Sequence, residues 1–346
     1  MNRNPENILI VRTDRIGDLV LTLPLAGLIK EKYPKAKVSF LVRDYTKSIA
    51  DSHPYIDEVI VLKQNRNKVA FFENLNLIKS KKYDTCIVVY PVFLIALILF
   101  LSGVKTRIGT GYRWYSFLFN NKIYEHRKNA EHHELEYNVN LLDKINIKNN
   151  VDEKNVRYNL NVDKDSLNVV KNILTVNQID LSKPFIIVHP GSGGSSLDLP
   201  SIKFAQLVKL LAEDRQQILI TGNKEEKTLC KSVKADTTAV NLAGLFNLEE
   251  LTALISLSFL FISNSTGPIH IAAALNKYVV GFYPKVISCS KERWAPYTCK
   301  KLIYEPSIDC NNCSIEQCKK LNCMESIDIN KVFTDIKNVL NKNPEK

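Results

Sequence analysis

Short β-branched apolar runs recur along this chain, separated by longer amphipathic stretches, and that alternation limits the folds open to it more than any other feature. In the first half the runs are ENILIVR (6–12), KVSFLVR (37–43), EVIVL (58–62) and YDTCIVV (83–89). Segments long enough for helices lie between them, beginning with TDRIGDLVLTLPLAGLIKEKYP. The pattern predicts βα units and a parallel sheet covered on both faces. A polar, weakly periodic region follows from about 122 to 165, with charged runs such as EHRKNAEHHELE. The alternation then restarts with PFIIVHPGSGG, QILITGN, VNLAG, FLFISNSTG and YVVGFYP, with helical stretches between them. The expected fold class is α/β, with two doubly wound parallel-sheet domains of similar plan. The first is assigned to 1–160 and the second to 161–326. The segment 327–346 is read as an amphipathic helix, IDINKVFTDIKNVLNK, and a tail. A chain of 346 residues with 45% hydrophobic content can supply two such cores.

Charge narrows the partners. The formal net charge is +11. Residues 1–160 carry 25 Lys and Arg against 17 Asp and Glu, and the remainder carries 22 against 19. A basic first half suits an anionic partner such as a phosphorylated substrate, an acidic membrane face or nucleic acid, and suits equally a solvated Lys-rich surface. The first residues, MNRNPENILIVRTD, hold only a four-residue apolar run, so a secretory leader is not expected and a cytoplasmic chain is. The oiliest stretch, VVYPVFLIALILFLSG (88–103), falls short of the ~20 residues that a spanning helix needs. It reads as a strand end followed by a core or interface helix that can touch a membrane.

In open parallel sheets, ligands sit beyond the carboxyl ends of the strands. Three turns of the second half are suited to that place. HPGSGGSS brings Gly191, Gly193 and Gly194, which let backbone approach a ligand, together with the hydroxyl of Ser192. TGNKEE offers Gly222 followed by Glu225 and Glu226. SNSTGPIHIAAAL places Asn264, Ser265, Thr266 and Gly267 before an apolar helix, with Ser265 or Thr266 as its cap and Pro268 in its first turn. A helix start of this kind favours a phosphate, although an ordinary capped helix uses the same residues. In the first half, TDRIGD (13–18) follows the first strand directly. A carboxylate at Asp18 can accept a hydroxyl proton or simply compensate the helix dipole. Arg12 and Arg15 can meet phosphate charge or pair with Asp14. Trp114, with Tyr112 and Tyr115 in GTGYRWYSF, can form a sugar platform or merely cover the core, and Arg113 adds a phosphate donor. The chain has no GxGxxG and no GxxxxGK[ST], which argues against a nicotinamide dehydrogenase and a P-loop enzyme.

Taken in order, RTDRIGDLVLTLPLAGLIKEKYP, HPGSGGSS, NLAGLFNLEELTALI and SNSTGPIHIAAAL resemble glycosyltransferase family 9, the lipopolysaccharide heptosyltransferases. The resemblance runs from the first strand to RWAPY (293–297). It implies a GT-B fold: two Rossmann-like domains facing a cleft, with the acceptor in the first and the nucleotide-sugar donor in the second. It also implies metal-independent, inverting transfer from an ADP-heptose-type donor to an anionic lipopolysaccharide core, with no cofactor. The enzyme would work in the cytoplasm, peripheral to the inner face of the inner membrane, and would not bind nucleic acid.

Carried over residue by residue, Asp18 matches the catalytic base. Ser192 and its glycines match the donor phosphate loop, Glu226 a donor-nucleoside acid, and Thr266, Gly267 and His270 the diphosphate-side motif. With Arg15, Gly222, Asn264 and Ser265 these form the expected donor site. Arg12, Arg113 and Trp114 form the expected acceptor site. The chain departs from the family at Ser265, where many members have Asp. It departs again at SLDLP, where Leu197 and Leu199 replace a Lys and a Trp-Pro pattern. Arg15, Lys203 or the helix end would then have to supply the missing positive charge.

Cys310, Cys313, Cys318 and Cys323 are clustered as C-x2-C-x4-C-x4-C. A structural zinc site and unligated thiols are both open readings, neither with a catalytic role. Two other functions stay open on sequence. One is a further GT-B nucleotide-sugar enzyme such as an epimerase. The other is a non-catalytic basic binder of membrane surfaces or nucleic acid.

Overall fold

The computed structural model describes residues 4–66, 68–308 and 314–342. The chain separates into two compact units, Met1–Arg127 with His132–Asn161, and Lys128–Glu131 with Val162–Lys346. In the N-terminal unit the elements run β1 (Asn7–Val11), α1 (Ile16–Val20), α2 (Pro24–Lys32), β2 (Lys37–Val42), α3 (Lys47–Asp51), β3 (Glu58–Val61), a small hairpin of β4 (Gln64–Asn65) and β5 (Lys68–Val69), α4 (Phe71–Lys81), β6 (Thr85–Val88), α5 (Phe93–Leu101), β7 (Thr106–Thr110), β8 (Asn121–Ile123) and α6 (Glu134–Asn140). The six-stranded sheet has the order β3-β2-β1-β6-β7-β8, with every pair parallel.

The C-terminal unit repeats the plan. Its elements are α7 (Lys164–Val176), β9 (Phe185–His189), α8 (Ser201–Glu213), β10 (Gln217–Ile220), α9 (Lys227–Lys234), β11 (Val240–Asn241), α10 (Leu248–Leu257), β12 (Leu260–Asn264), α11 (Gly267–Ala274), β13 (Tyr278–Phe282), α12 (Lys291–Trp294), β14 (Lys301–Tyr304), α13 (Ile315–Leu321) and α14 (Ile329–Lys342). The sheet order is β11-β10-β9-β12-β13-β14, again all parallel. Both units are therefore doubly wound α/β sheets of the Rossmann type.

Sequence explains the strands at the centre of each sheet. ILIV, IIV and LFIS are fully buried, as a strand covered on both faces must be. Helices supply one apolar stripe each. Phe204, Leu207, Val208 and Leu211 of α8 lie in the same core cluster as Ile329, Val332 and Ile336 of α14. The C-terminal helix is thus packed into the second core, and Lys337 adds an ion pair to Asp214 at 2.6 Å.

The strand order also locates the sites. Winding direction reverses between β1 and β6, and between β9 and β12. Crevices at such reversals, beyond the carboxyl ends of the strands, are where open sheets bind ligands. TDRIGD leaves β1 at one reversal. HPGSGGSS and SNSTG leave β9 and β12 at the other.

Candidate active site

In the N-terminal unit the site is built around a buried guanidinium. Arg12 directly follows β1, with only 2% of its surface exposed. Its Nε donates to Asp14 Oδ1 at 2.8 Å, and its Nη2 donates to Asp18 Oδ1. Nη1 donates to Glu134 Oε1 and to Asn138 Oδ1, both at 3.2 Å. Arg127 reaches the same pair, donating to Glu134 at 2.5 Å and to Asn138 at 3.1 Å. Asn138 in turn donates to the Leu21 carbonyl at 3.1 Å. Helix α6 is thereby tied to the segment after α1, with Asp18 in the first turn of α1.

This arrangement changes the expected role of Arg12. It does not present a donor to an acceptor substrate, because its fork is occupied by three carboxylates inside the protein. Burial alone pushes its pKa down, but Asp14, Asp18 and Glu134 outweigh that and raise it. Breaking one arm of such a buried array would leave charge uncompensated. Asp14 moves the other way. Burial pushes its carboxyl up and Asp18 adds to the rise, while Arg12 opposes it, leaving it at about 7. Near neutrality Asp14 can therefore hold a proton beside Asp18. Arg15 stands exposed at the N-cap of α1. Arg113 and Trp114 lie on the loop after β7, where Trp114 packs on Phe93 at 4.8 Å and edge-on to Tyr115.

In the C-terminal unit three turns meet because β10, β9 and β12 are neighbours. Glu226 is the link between the first two. A Cβ at Gly191 would come within 1.9 Å of its Oε1, and one at Gly222 within 3.1 Å of its Oε2. Gly191 therefore makes room for this carboxylate, while Gly222 makes room first for Cys230 Sγ, which would lie 2.7 Å from such a Cβ, and then for Glu226. The carboxylate also accepts from the Asn223 N–H at 2.8 Å. Gly193 and Gly194 serve a different purpose. Their φ values are +56° and +75°, with open space where a side chain would be. His189, at the end of β9, places Nδ1 3.0 Å from Thr221 Oγ1. Burial lowers its pKa to about 4, against the opposing pull of Glu226, so the ring is neutral at physiological pH.

The third turn corrects one expectation. Asn264 is fully buried and works as scaffold. Its Nδ2 donates to the Pro190 carbonyl at 2.7 Å and its Oδ1 accepts from the Leu199 N–H at 2.9 Å, bracketing the glycine loop from both ends. The Ser195 hydroxyl lies 2.8 Å from the carbonyls of both Ser192 and Ser265, shares its single proton between them, and so ties that loop to the start of α11. Ser192, Thr266 and His270 are all buried at this corner. Thr266 occupies the N-cap position with extended backbone, yet its side chain makes no cap hydrogen bond. The start of α11 has Pro at N1/N2 and no N-cap side chain on its first N–H groups, which suits an anion there.

Two positions where the sequence departs from the family pattern, Leu197 and Leu199, are core residues. Lys203 does not replace the missing cation, because its ammonium donates to the Ile327 carbonyl at 3.2 Å. Of the clustered cysteines, Cys310 and Cys313 lie outside the described residues, as does the side chain of Cys318, and Cys323 is buried.

The sequence offers Asp14 as an ion-pair partner, which it is for Arg12, but gives no sign of Glu134 and Asn138. Glu134 sits in the run EHHELE, which reads as solvated linker. The signal that marks it as structural is the spacing of His133 and Glu136, which form a capping box on α6.

Comparison with known proteins settles the family. The profile of glycosyltransferase family 9 (heptosyltransferase) matches residues 74–324. This chain belongs to glycosyltransferase family 9. A Haemophilus influenzae protein named only as a glycosyltransferase is 31% identical over 84% of this chain and 86% of its own length. Lipopolysaccharide heptosyltransferase 3 of Escherichia coli is 23% identical over 77% of this chain and 80% of its own. Among solved structures, the Escherichia coli ADP-heptose lps heptosyltransferase II superposes with a TM-score of 0.77 at 20% identity, covering 98% of this chain and 99% of that one. The family 9 enzyme is thus a heptosyltransferase-like glycosyltransferase of GT-B fold.

Proposed function

We propose that this family 9 glycosyltransferase transfers a heptose or related sugar, with inversion, from a nucleotide-diphosphate sugar to a hydroxyl of an anionic lipopolysaccharide core. The donor of first choice is ADP-heptose, the sugar nucleotide named for the Escherichia coli structural relative. Asp18 takes the acceptor proton while the acceptor oxygen attacks the anomeric carbon. The bond from that carbon to the diphosphate breaks, and the nucleoside diphosphate leaves with the electron pair. In the C-terminal unit, the N–H groups at the start of α11 and the glycine loop receive that growing negative charge. Glu226 faces the donor nucleoside. Arg113 and the basic N-terminal unit favour an acidic acceptor at the inner membrane surface.

The observation that carries this reading is the setting of Asp18. It stands in the first turn after β1, at the sheet reversal, with Arg12 gripping one of its carboxylate oxygens. The donor is tested by thermal unfolding with ADP, UDP, GDP and their sugars. A ligand at one hundred times its Kd stabilises the native state by about 2.7 kcal/mol, so the ADP series should raise Tm and the others should not. A response to UDP or GDP alone would replace ADP in this proposal. No response to any nucleotide would remove the donor assignment.

A further inference from the structure

Helix α5 has no polar face. Ile95, Ala96, Ile98 and Leu99 point inward and belong to the core of the N-terminal unit. The opposite row, Phe93, Leu94, Leu97, Phe100 and Leu101, follows the same helical spacing and is wholly apolar, with Leu94, Phe100 and Leu101 exposed. A helix on the surface of a soluble domain ordinarily carries polar residues there. The apolar row also continues beyond the helix. Trp114 packs on Phe93 at its start and is 72% exposed, and the adjoining 3-10 turn Ser116–Leu118 presents Phe117 at 66% exposure. Eight of the nineteen exposed large apolar side chains among the described residues fall within 85–124. That concentration is a patch rather than the normal scatter of single apolar residues.

Charge identifies what the patch meets. Residues 85–124 contain no Asp or Glu, but do contain Lys105, Arg107, Arg113 and Lys122. Arg107 lies against the patch, with its guanidinium 5.2 Å over the Phe100 ring, and Lys105 and Arg113 are exposed on either side of it in sequence. Aromatic and aliphatic side chains bordered by cations, with no anion among them, match the boundary between acyl chains and anionic headgroups. Crossing the bilayer is excluded for α5 itself. Nine residues rise about 13 Å, whereas the hydrocarbon core is about 30 Å thick.

We infer that the exposed row of α5, with Trp114 and Phe117, is a docking face for an anionic lipid bilayer, and that it holds the enzyme against the membrane without spanning it. The inference deepens the proposed membrane-surface acceptor, and its test needs neither donor nor acceptor sugar.

The full chain is mixed with vesicles of phosphatidylcholine, or of phosphatidylcholine with phosphatidylglycerol, and binding is read by co-sedimentation and by Trp114 fluorescence in a Trp294→Phe background. The expected result is binding to the anionic vesicles, weakened by salt, with a blue shift of Trp114. Phe117→Ser and Leu101→Ser should each weaken binding roughly tenfold, the loss of one buried apolar side chain. Lys105→Gln should weaken it about fivefold. Val176→Ser and Ile202→Ser, exposed apolar positions of the C-terminal unit, should bind as wild type does. Each variant should keep its nucleotide-dependent rise in Tm, which separates loss of docking from failure of the glycosyltransferase site.

Equal binding to neutral and anionic vesicles would overturn the inference, as would wild-type binding by Phe117→Ser and Leu101→Ser together. So would a concentration-dependent dimer that Phe117→Ser abolishes while vesicle binding is unchanged, which would assign the face to a second copy of this chain.

Discussion

Gly191 and Glu226 form the most exposed test of the donor site, because the two residues are sterically exclusive. A methyl group at Gly191 would occupy the place of the Glu226 carboxylate. That carboxylate ends a flexible side chain, so it can swing away at little cost to the fold. Gly191→Ala should therefore unfold within about 1 kcal/mol of wild type yet lose most of its nucleotide-dependent rise in Tm. Glu226→Ala should lose the same response. The double variant should lose no more than either single one, since both act on one carboxylate. Additive losses would mean that Gly191 serves the ligand independently of Glu226.

Asp18 and Arg12 divide differently. Asp18→Ala should lower transfer by about two to four orders of magnitude, the range for positioned proton transfer, while still binding nucleotide. Arg12→Met should chiefly destabilise the fold. It leaves Asp14 and Asp18 without their guanidinium, with Arg127 alone still on Glu134, and losing one partner of a buried ionic array costs about 3–5 kcal/mol. Urea unfolding of the two variants distinguishes these roles.

Among the elements, the glycine loop after β9 depends on a residue that sequence assigned to the ligand. Asn264 bonds Pro190 and Leu199 on either side of the loop. Asn264→Ala would leave a buried N–H and a buried carbonyl without partners, at about 1–3 kcal/mol of stability. The urea midpoint should fall with an unchanged m-value, and nucleotide binding should weaken because its platform has loosened. A variant as stable as wild type would contradict the scaffold role.

The same loop shows what could be read beforehand. Strand ends and glycines were legible because βα punctuation and glycine-rich turns are local. The partner of a buried amide 65 residues away is not local, and nothing in SNSTG distinguishes an asparagine that grips a ligand from one that grips a loop. Strands β7, β8 and β14 escape the sequence for a related reason. TRIGT, NKI and KLIY are only partly buried, so they lack the apolar runs that announced the central strands. Helix α6 reads as linker because nothing in EHHELE shows that Glu134 meets Arg12 and Arg127 inside the protein rather than water.

Over the whole molecule, the buried ionisable groups contribute to the pH dependence of stability in two opposite directions, each with a definite sign. His189 and His53 are both lowered to about 4, each by burial first. In the unfolded chain a histidine titrates near 6.5. As pH falls from about 6.5 towards 4, the unfolded chain takes up protons that the folded chain refuses, and stability falls. Asp14 opposes this. Its folded pKa of about 7 lies above its unfolded value near 3.9, so between those limits the folded chain is the one that binds the extra proton, and acidification stabilises it. Asp198, which burial raises to about 6, acts with Asp14, so two histidines stand against two carboxyls and their opposing slopes largely offset each other in the wild-type protein. Urea midpoints measured from about pH 7 to about pH 4 read the two contributions separately in single variants. Relative to wild type, His53→Gln should make acid less destabilising by removing one refused proton, whereas Asp14→Asn should make it more destabilising by removing part of the opposing uptake. Opposite slopes from two single substitutions are hard to obtain from any general effect of acid, and parallel slopes in all three proteins would show that these buried groups do not govern the response.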